Sequence, residues 1–135
     1  MTNEVKNIIT ILIVDDHKDV CLATSAMLSS VSNFRIIGLL NSGINLIEFL
    51  KYQRPDIILM DISMEPVNGI EATKFVLSKY ETINIIGFSM HNNKGYMKKM
   101  INAGAKHYLL KSTPLSEIID CINTVCNIEK QALLD

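Results

Sequence analysis

Apolar residues fall into five short unbroken runs along this chain, separated by stretches in which they recur every three or four positions. The runs are Ile11 to Val14, Arg35 to Leu40, Ile57 to Met60, Asn84 to Phe88 and His107 to Leu110. They are mostly β-branched or aliphatic and do not alternate with polar residues. This predicts strands buried on both faces, as in a parallel sheet covered by helices on each side. The intervening stretches carry helical stripes: Val20, Ala23, Thr24, Met27, Leu28 and Val31 in the first, then Leu46, Ile47 and Leu50 in the second. Ala72, Phe75, Val76 and Tyr80 mark the third, Met97, Met100 and Ile101 the fourth, and Leu115, Ile118, Ile119, Ile122 and Cys126 the fifth. Asn68-Gly69 turns into the third helix, Gly104 closes the fourth, and Thr113-Pro114 supplies an N-cap and first-turn proline for the fifth. Strand and helix therefore alternate five times. Short connections of this kind imply right-handed crossovers and an open doubly wound α/β sheet.

The first run ends, in TILIVDDHKDV, at the adjacent carboxylates of Asp15 and Asp16. Two such groups repel each other and are costly to strip of water, so water or a bound cation must compensate them. The third run ends in the same way at Asp61, in PDIILMDISMEPVNG. In an open α/β sheet the functional crevice lies outside the carboxyl ends of the strands, where the winding direction reverses. With strands one and three as neighbours, the three carboxylates meet at one edge, joined by Ser89 from IIGFSMH and Lys111 from HYLLKS. Such a set suits Mg²⁺, which takes oxygen ligands and often binds through one or two carboxylates plus a phosphate oxygen. Asp61 then has a second capacity: its carboxylate can attack a phosphoryl group, with the Lys111 ammonium neutralising charge and Ser89 donating a hydrogen bond.

Composition narrows the classes. The 135 residues fit one domain, a size that buries roughly 70% of its unfolded surface without staples. A hydrophobic fraction of 48%, a charged fraction of 20% and a formal net charge of −1 exclude the basic excess that announces nucleic-acid or anionic-membrane binding. Cys21, Cys121 and Cys126 are odd in number and form no CxxC pair, which points to core thiols in a reducing compartment. No run approaches the ~18 apolar residues of a membrane span, and Met1 to Thr10 lacks the apolar centre of a signal peptide. A cytoplasmic protein without membrane contact is expected.

On these residues the chain resembles a bacterial response-regulator receiver domain, the phospho-accepting half of two-component signalling, from about Thr10 to Val125. The resemblance rests on VDD ending at Asp16, MD before a loop ending in Gly69, the small hydroxyl of Ser89, AGA at Ala103 to Ala105 and YLLK at Tyr108 to Lys111. It implies a flavodoxin-like (βα)5 three-layer sandwich with a five-stranded parallel sheet of order 2-1-3-4-5. It also implies roles. Asp61 would be the phosphorylated residue, Asp16 a direct Mg²⁺ ligand, Asp15 a ligand largely through water, and the Ser63 backbone carbonyl a further ligand. Ser89 and Tyr108 would form the switch, and Lys111 would pair with the phosphoryl group. Ser63 and His91, each two places beyond a site residue, would flank that group and tune the phosphoaspartate lifetime; the plainer reading of His91 is an exposed loop residue, and of Tyr108 an edge-of-core tyrosine. His17 and His107 are read as structural or exposed.

Two positions depart from the family's common pattern. Glu65 follows Met64, with Pro66 one place later, and Ser112 follows Lys111 where many relatives carry proline. The second departure leaves the Lys111-Ser112 isomer open, and resembles receivers with a LuxR/NarL-type output domain. The expected phosphodonor is a sensor histidine kinase, and the expected response is a rearranged face of the fourth helix, fifth strand and fifth helix. Around Met97, Met100 and Ile101 this face would form a phosphorylation-dependent homodimer or partner surface, unless those residues pack in the core. Residues 1–126 form the receiver and 127–135 a tail or linker start, with DNA contacted only through an output domain beyond these 135 residues. The alternatives are a stand-alone receiver acting by protein contact and a small Mg²⁺-dependent phosphohydrolase. A flavin or nucleotide binder would need a Gly/Ser/Thr-rich phosphate loop after the first strand, and HKDV is not one.

Overall fold

The computed structural model describes residues 8–90 and 92–134, with side chains as far as Asn127. Ten elements alternate: β1 (Ile9–Val14), α1 (Lys18–Ser29), β2 (Phe34–Leu40), α2 (Gly43–Phe49), β3 (Ile57–Met60), α3 (Gly69–Lys79), β4 (Asn84–Ser89), α4 (Lys94–Ala103), β5 (His107–Leu110) and α5 (Leu115–Leu134). The strands form one parallel sheet of order β2-β1-β3-β4-β5. This is the doubly wound (βα)5 sandwich expected from the alternation and the resemblance.

Strand periodicity divides the core into two layers. Leu12, Val14, Ile58, Met60 and Ile85 face one side, where Leu46 of α2, Ala72 and Val76 of α3 and Met100 of α4 cover them. Ile11, Ile13, Ile57, Leu59, Ile86 and Phe88 face the other, beneath Cys21 and Leu28 of α1 and Ile118 and Ile122 of α5. Successive strand side chains point to opposite faces, so an unbroken apolar run serves both layers at once. Each fully buried aliphatic side chain contributes about 1.5–3 kcal/mol over leaving it in water.

The outer strands correct the expectation of burial on both faces. In β2, Arg35 and Leu39 are exposed, and in β5 His107 is exposed. Each pairs with one neighbouring strand, β1 for β2 and β4 for β5. The first helical stripe is also narrower than expected. Cys21, Thr24 and Leu28 are buried, whereas Ala23 and Met27 are exposed, because at about 3.6 residues per turn these two lie well round the helix from that line. On α4, Met100 is fully buried and Met97 packs against the core, leaving Ile101 exposed.

Local signals place the turns. The Asn68 side chain accepts from the Glu71 backbone N–H and caps α3, and Gly104 ends α4 at φ 115°, in the left-handed region where a Cβ is penalised. The fifth helix starts one residue later than expected: the Pro114 carbonyl accepts from the Glu117 and Ile118 N–H groups. Proline therefore occupies the cap position rather than the first turn. The helix continues to Leu134, through the segment read as a tail or linker start. Among the described residues no helix is long and apolar enough to cross a membrane. Cys21 and Cys126 are buried and Cys121 half-buried, none of them in a disulfide, as core thiols should be. Burial pushes the Cys21 and Cys121 thiols up, and at Cys21 the Asp15 charge adds to the effect.

Candidate functional site

The sheet hydrogen bonding continues one residue past the strands and carries the carboxylates to one edge. The Asp15 N–H donates to the Leu40 carbonyl and the Asp61 N–H to the Val14 carbonyl, each at 2.9 Å. Val14 lies opposite Met60 in the parallel register, so Asp15 and Asp61 emerge side by side. Asp15 and Asp61 are buried, while Asp16 points toward solvent. On the far side, the Lys111 N–H donates to the Ser89 carbonyl at 2.8 Å, tying the carboxyl end of β4 to that of β5. Ser89 is the last residue of β4 and fully buried.

The Lys111 ammonium crosses the edge to the acids. Its Nζ lies 2.5 Å from Asp15 Oδ2 and 3.5 Å from Asp61 Oδ1. Asp61 Oδ2 is buried without a hydrogen bond, and Lys111 Nζ is held by charge pairing alone. Buried polar atoms are normally satisfied, and this pair fits a site built to receive a cation on the carboxylate side and an anion on the lysine side. Burial raises the Asp61 pKa above the ordinary carboxylate value; Lys111 opposes the rise, Asp15 and Asp16 add to it, and the Ser63 N–H, 3.5 Å from Oδ1, counters it weakly.

The loop after Asp61 closes against it through one glycine. A Cβ on Gly69 would stand 2.1 Å from the Asp61 carbonyl oxygen, and the Gly69 N–H donates to the Ile62 carbonyl at 2.9 Å. Only a residue without a side chain lets the first turn of α3 approach so closely. The Glu65-Pro66 bond in this loop is cis, and Lys111-Ser112 is trans, which resolves the isomer left open by sequence.

Tyr108, for which the plainer reading was an edge-of-core tyrosine, has its ring largely covered. It is buried in the core of the α2–α4 layer, opposite Gly87 of β4, where a Cβ would meet its ring at 2.8 Å. Ser63 is exposed. His91 lies outside the described residues.

His17 was read as structural or exposed and is exposed, yet it stands among the site carboxylates. Its ring is half-exposed, with Nδ1 3.1 Å from Asp15 Oδ1, 3.2 Å from Asp16 Oδ1 and 3.7 Å from Asp61 Oδ2. Ligand atoms of Asp15, Asp16, His17 and Asp61 all lie within 4.8 Å of one another. The available signal was its place directly after the paired aspartates, at the entry to α1; what concealed it was that Asp61, 44 positions later, completes the cluster.

A doubly wound α/β domain carrying carboxylates and a buried lysine at its carboxyl edge is the architecture of a phosphoryl-accepting signalling module. The chain belongs to the response regulator receiver domain family, whose model matches residues 11–123. It is 32% identical over 120 residues to the transcriptional regulatory protein DegU of Brevibacillus brevis, covering 89% of this chain and 51% of that protein. It is also 32% identical over 121 residues to the response regulator protein VraR of Staphylococcus saprophyticus, covering 90% and 58%. A two-component response regulator of the LuxR family from Aurantimonas superposes with a TM-score of 0.84 at 24% identity, over 89% of this chain and 86% of that one; this last likeness concerns the fold. The expected resemblance to LuxR/NarL-type receivers is borne out. The chain spans about half the length of the curated relatives it matches.

Proposed function

We propose that this receiver domain takes a phosphoryl group from the phosphohistidine of a sensor histidine kinase onto Asp61. The observation that supports this most is the buried Asp61 carboxylate, with Oδ2 accepting no hydrogen bond from any described residue, beside the buried Lys111 Nζ that pairs with Asp15 and lies 3.5 Å from Asp61 Oδ1. An Asp61 oxygen attacks phosphorus, the histidine P–N bond breaks, and the imidazole leaves with the electron pair. Lys111 balances charge on the phosphoryl oxygens and is drawn from Asp15 toward them.

Asp15, Asp16 and Asp61, with the Ser63 carbonyl, form the set that would hold Mg²⁺. Bound there, Mg²⁺ supplies charge neutralisation for the carboxylates and for the transferring group. The Ser89 hydroxyl then turns toward the new anion. The volume it leaves is taken up by the Tyr108 ring, and this alters the face formed by α4, β5 and α5. Ser63 and His91 limit the access of water and so set the phosphoaspartate lifetime. The domain acts as the phosphorylation-controlled half of a transcription regulator whose output portion binds DNA.

Intact mass after incubation with a small-molecule phosphodonor tests the reading. One phosphoryl adduct is expected in the presence of Mg²⁺, and none without the metal or in Asp61→Asn. An adduct that persists in Asp61→Asn would overturn it.

A further inference from the structure

The histidine beside the paired aspartates does not serve as the cap of the helix it begins. His17 is the N-cap residue of α1, yet its side chain makes no capping hydrogen bond, although residues at this position usually serve through such a bond. Its backbone N–H donates to Asp15 Oδ1 at 2.8 Å, which pins the start of the helix without the imidazole. The ring instead turns back to the acids. One hydrogen bond, to Asp15 Oδ1 at 3.1 Å, accounts for one of its three close approaches. The others, 3.2 Å to Asp16 and 3.7 Å to Asp61, remain.

The two shorter distances have a common explanation. Ligand atoms held about 2.1 Å from one metal ion stand ~3.0 Å apart along an octahedral edge and ~3.4 Å apart in a tetrahedron. Nδ1 therefore stands to Asp15 and Asp16 at the spacing of neighbouring ligands, with Asp61 Oδ2 a few tenths of an ångström farther out. Independently, Asp61 Oδ2 is buried and unsatisfied within this same group. An oxygen without a donor and a nitrogen at ligand spacing both face the place a cation would take.

We propose that His17 supplies a nitrogen ligand to the cation held by Asp15, Asp16 and Asp61, so that the pocket favours borderline first-row ions such as Co²⁺ and Ni²⁺ over Mg²⁺. The inference rests on the reading of these aspartates as a cation site. Imidazole suits the later transition metals, whereas Mg²⁺ takes oxygen and keeps its waters. The half-exposed ring can adjust at little cost, and as a ligand it acts as the neutral imidazole with the Nδ1 lone pair directed at the ion.

Calorimetric titration of the purified chain with MgCl₂ and with CoCl₂, for the wild type, His17→Gln and Asp61→Asn, tests the proposal. Proton NMR of the cobalt-loaded protein runs alongside. Wild type is expected to bind Co²⁺ about tenfold or more tightly than Mg²⁺ and to show a contact-shifted imidazole N–H resonance. In His17→Gln that resonance disappears, and cobalt affinity falls about tenfold further than magnesium affinity. Asp61→Asn weakens both ions. His17→Asn, which retains a side chain able to cap α1, replaces the glutamine variant if that one fails to fold. Equal losses of the two ions in His17→Gln, or a surviving shifted resonance, would overturn the assignment. Magnesium binding without any cobalt preference defeats the role of His17 alone; failure of both ions to bind defeats the cation site with it.

Discussion

The ammonium of Lys111 lies 2.5 Å from the carboxylate of Asp15, with both side chains 3% exposed. Removing one member of a buried ion pair leaves an uncompensated charge, which commonly costs 3–5 kcal/mol. Lys111→Met should therefore destabilise the metal-free domain by about 3 kcal/mol in urea denaturation at pH 7. The deficit should shrink in acid, as the Asp61 carboxyl, its pKa raised, takes up its proton. A loss below about 0.5 kcal/mol would mean that solvent already carries the pair.

Ionisation of Asp61 works against folding. Its folded pKa is raised, first by burial and then by Asp15 and Asp16. The stability this group contributes is complete below its unfolded pKa of about 3.9 and is lost as pH rises through the raised folded value. Without divalent ions, Asp61→Asn should be more stable than wild type at pH 7, and the advantage should fade as pH approaches 4. Greater stability of the wild type at pH 7 would show that pairing with Lys111 outweighs burial. Saturating Mg²⁺ should narrow the gap, adding about 2.7 kcal/mol to the wild type at a hundredfold excess over Kd.

Gly69→Ala should disturb the site from outside it. The new methyl group would meet the Asp61 carbonyl at 2.1 Å, and it is backbone, not a flexible side chain, that must yield. A loss of about 2 kcal/mol is expected, together with weaker Mg²⁺ binding as the loop after Asp61 shifts. Thermal unfolding and metal titration measure the two effects. A variant unchanged in both would show that α3 can retreat freely.

Ser89→Ala separates uptake from response. The domain should still accept one phosphoryl group by intact mass, at a stability cost of about 1 kcal/mol for the lost hydroxyl. The backbone amide shifts that phosphorylation produces along α4, β5 and α5 should shrink. Undiminished shifts would remove Ser89 from the switch.

Much of the architecture was legible because parallel strands buried on both sides need apolar residues at every position. Ile57 to Met60 and the body of β4 satisfy that demand fully. The same runs ended at Asp16, Asp61, Ser89 and Lys111, and strand ends in such folds share one edge, so most of the site could be read before any contact was known. The outer strands misled. Ile36, Ile37 and Leu39 in β2 are as apolar as the interior strands but only partly covered, and composition carries no label for an edge.

The sequence by itself determined the alternation of strands and helices, the apolar content of both core layers and the chemical groups at the strand ends, because these follow from periodicity and residue type. Tertiary structure decided what depends on distance between remote segments. It buried Tyr108 over Gly87, oriented Lys111 toward Asp15, and brought His17 within reach of Asp61. The first and third strands pair in register, and no local pattern around His17 could announce a carboxylate arriving from the neighbouring strand.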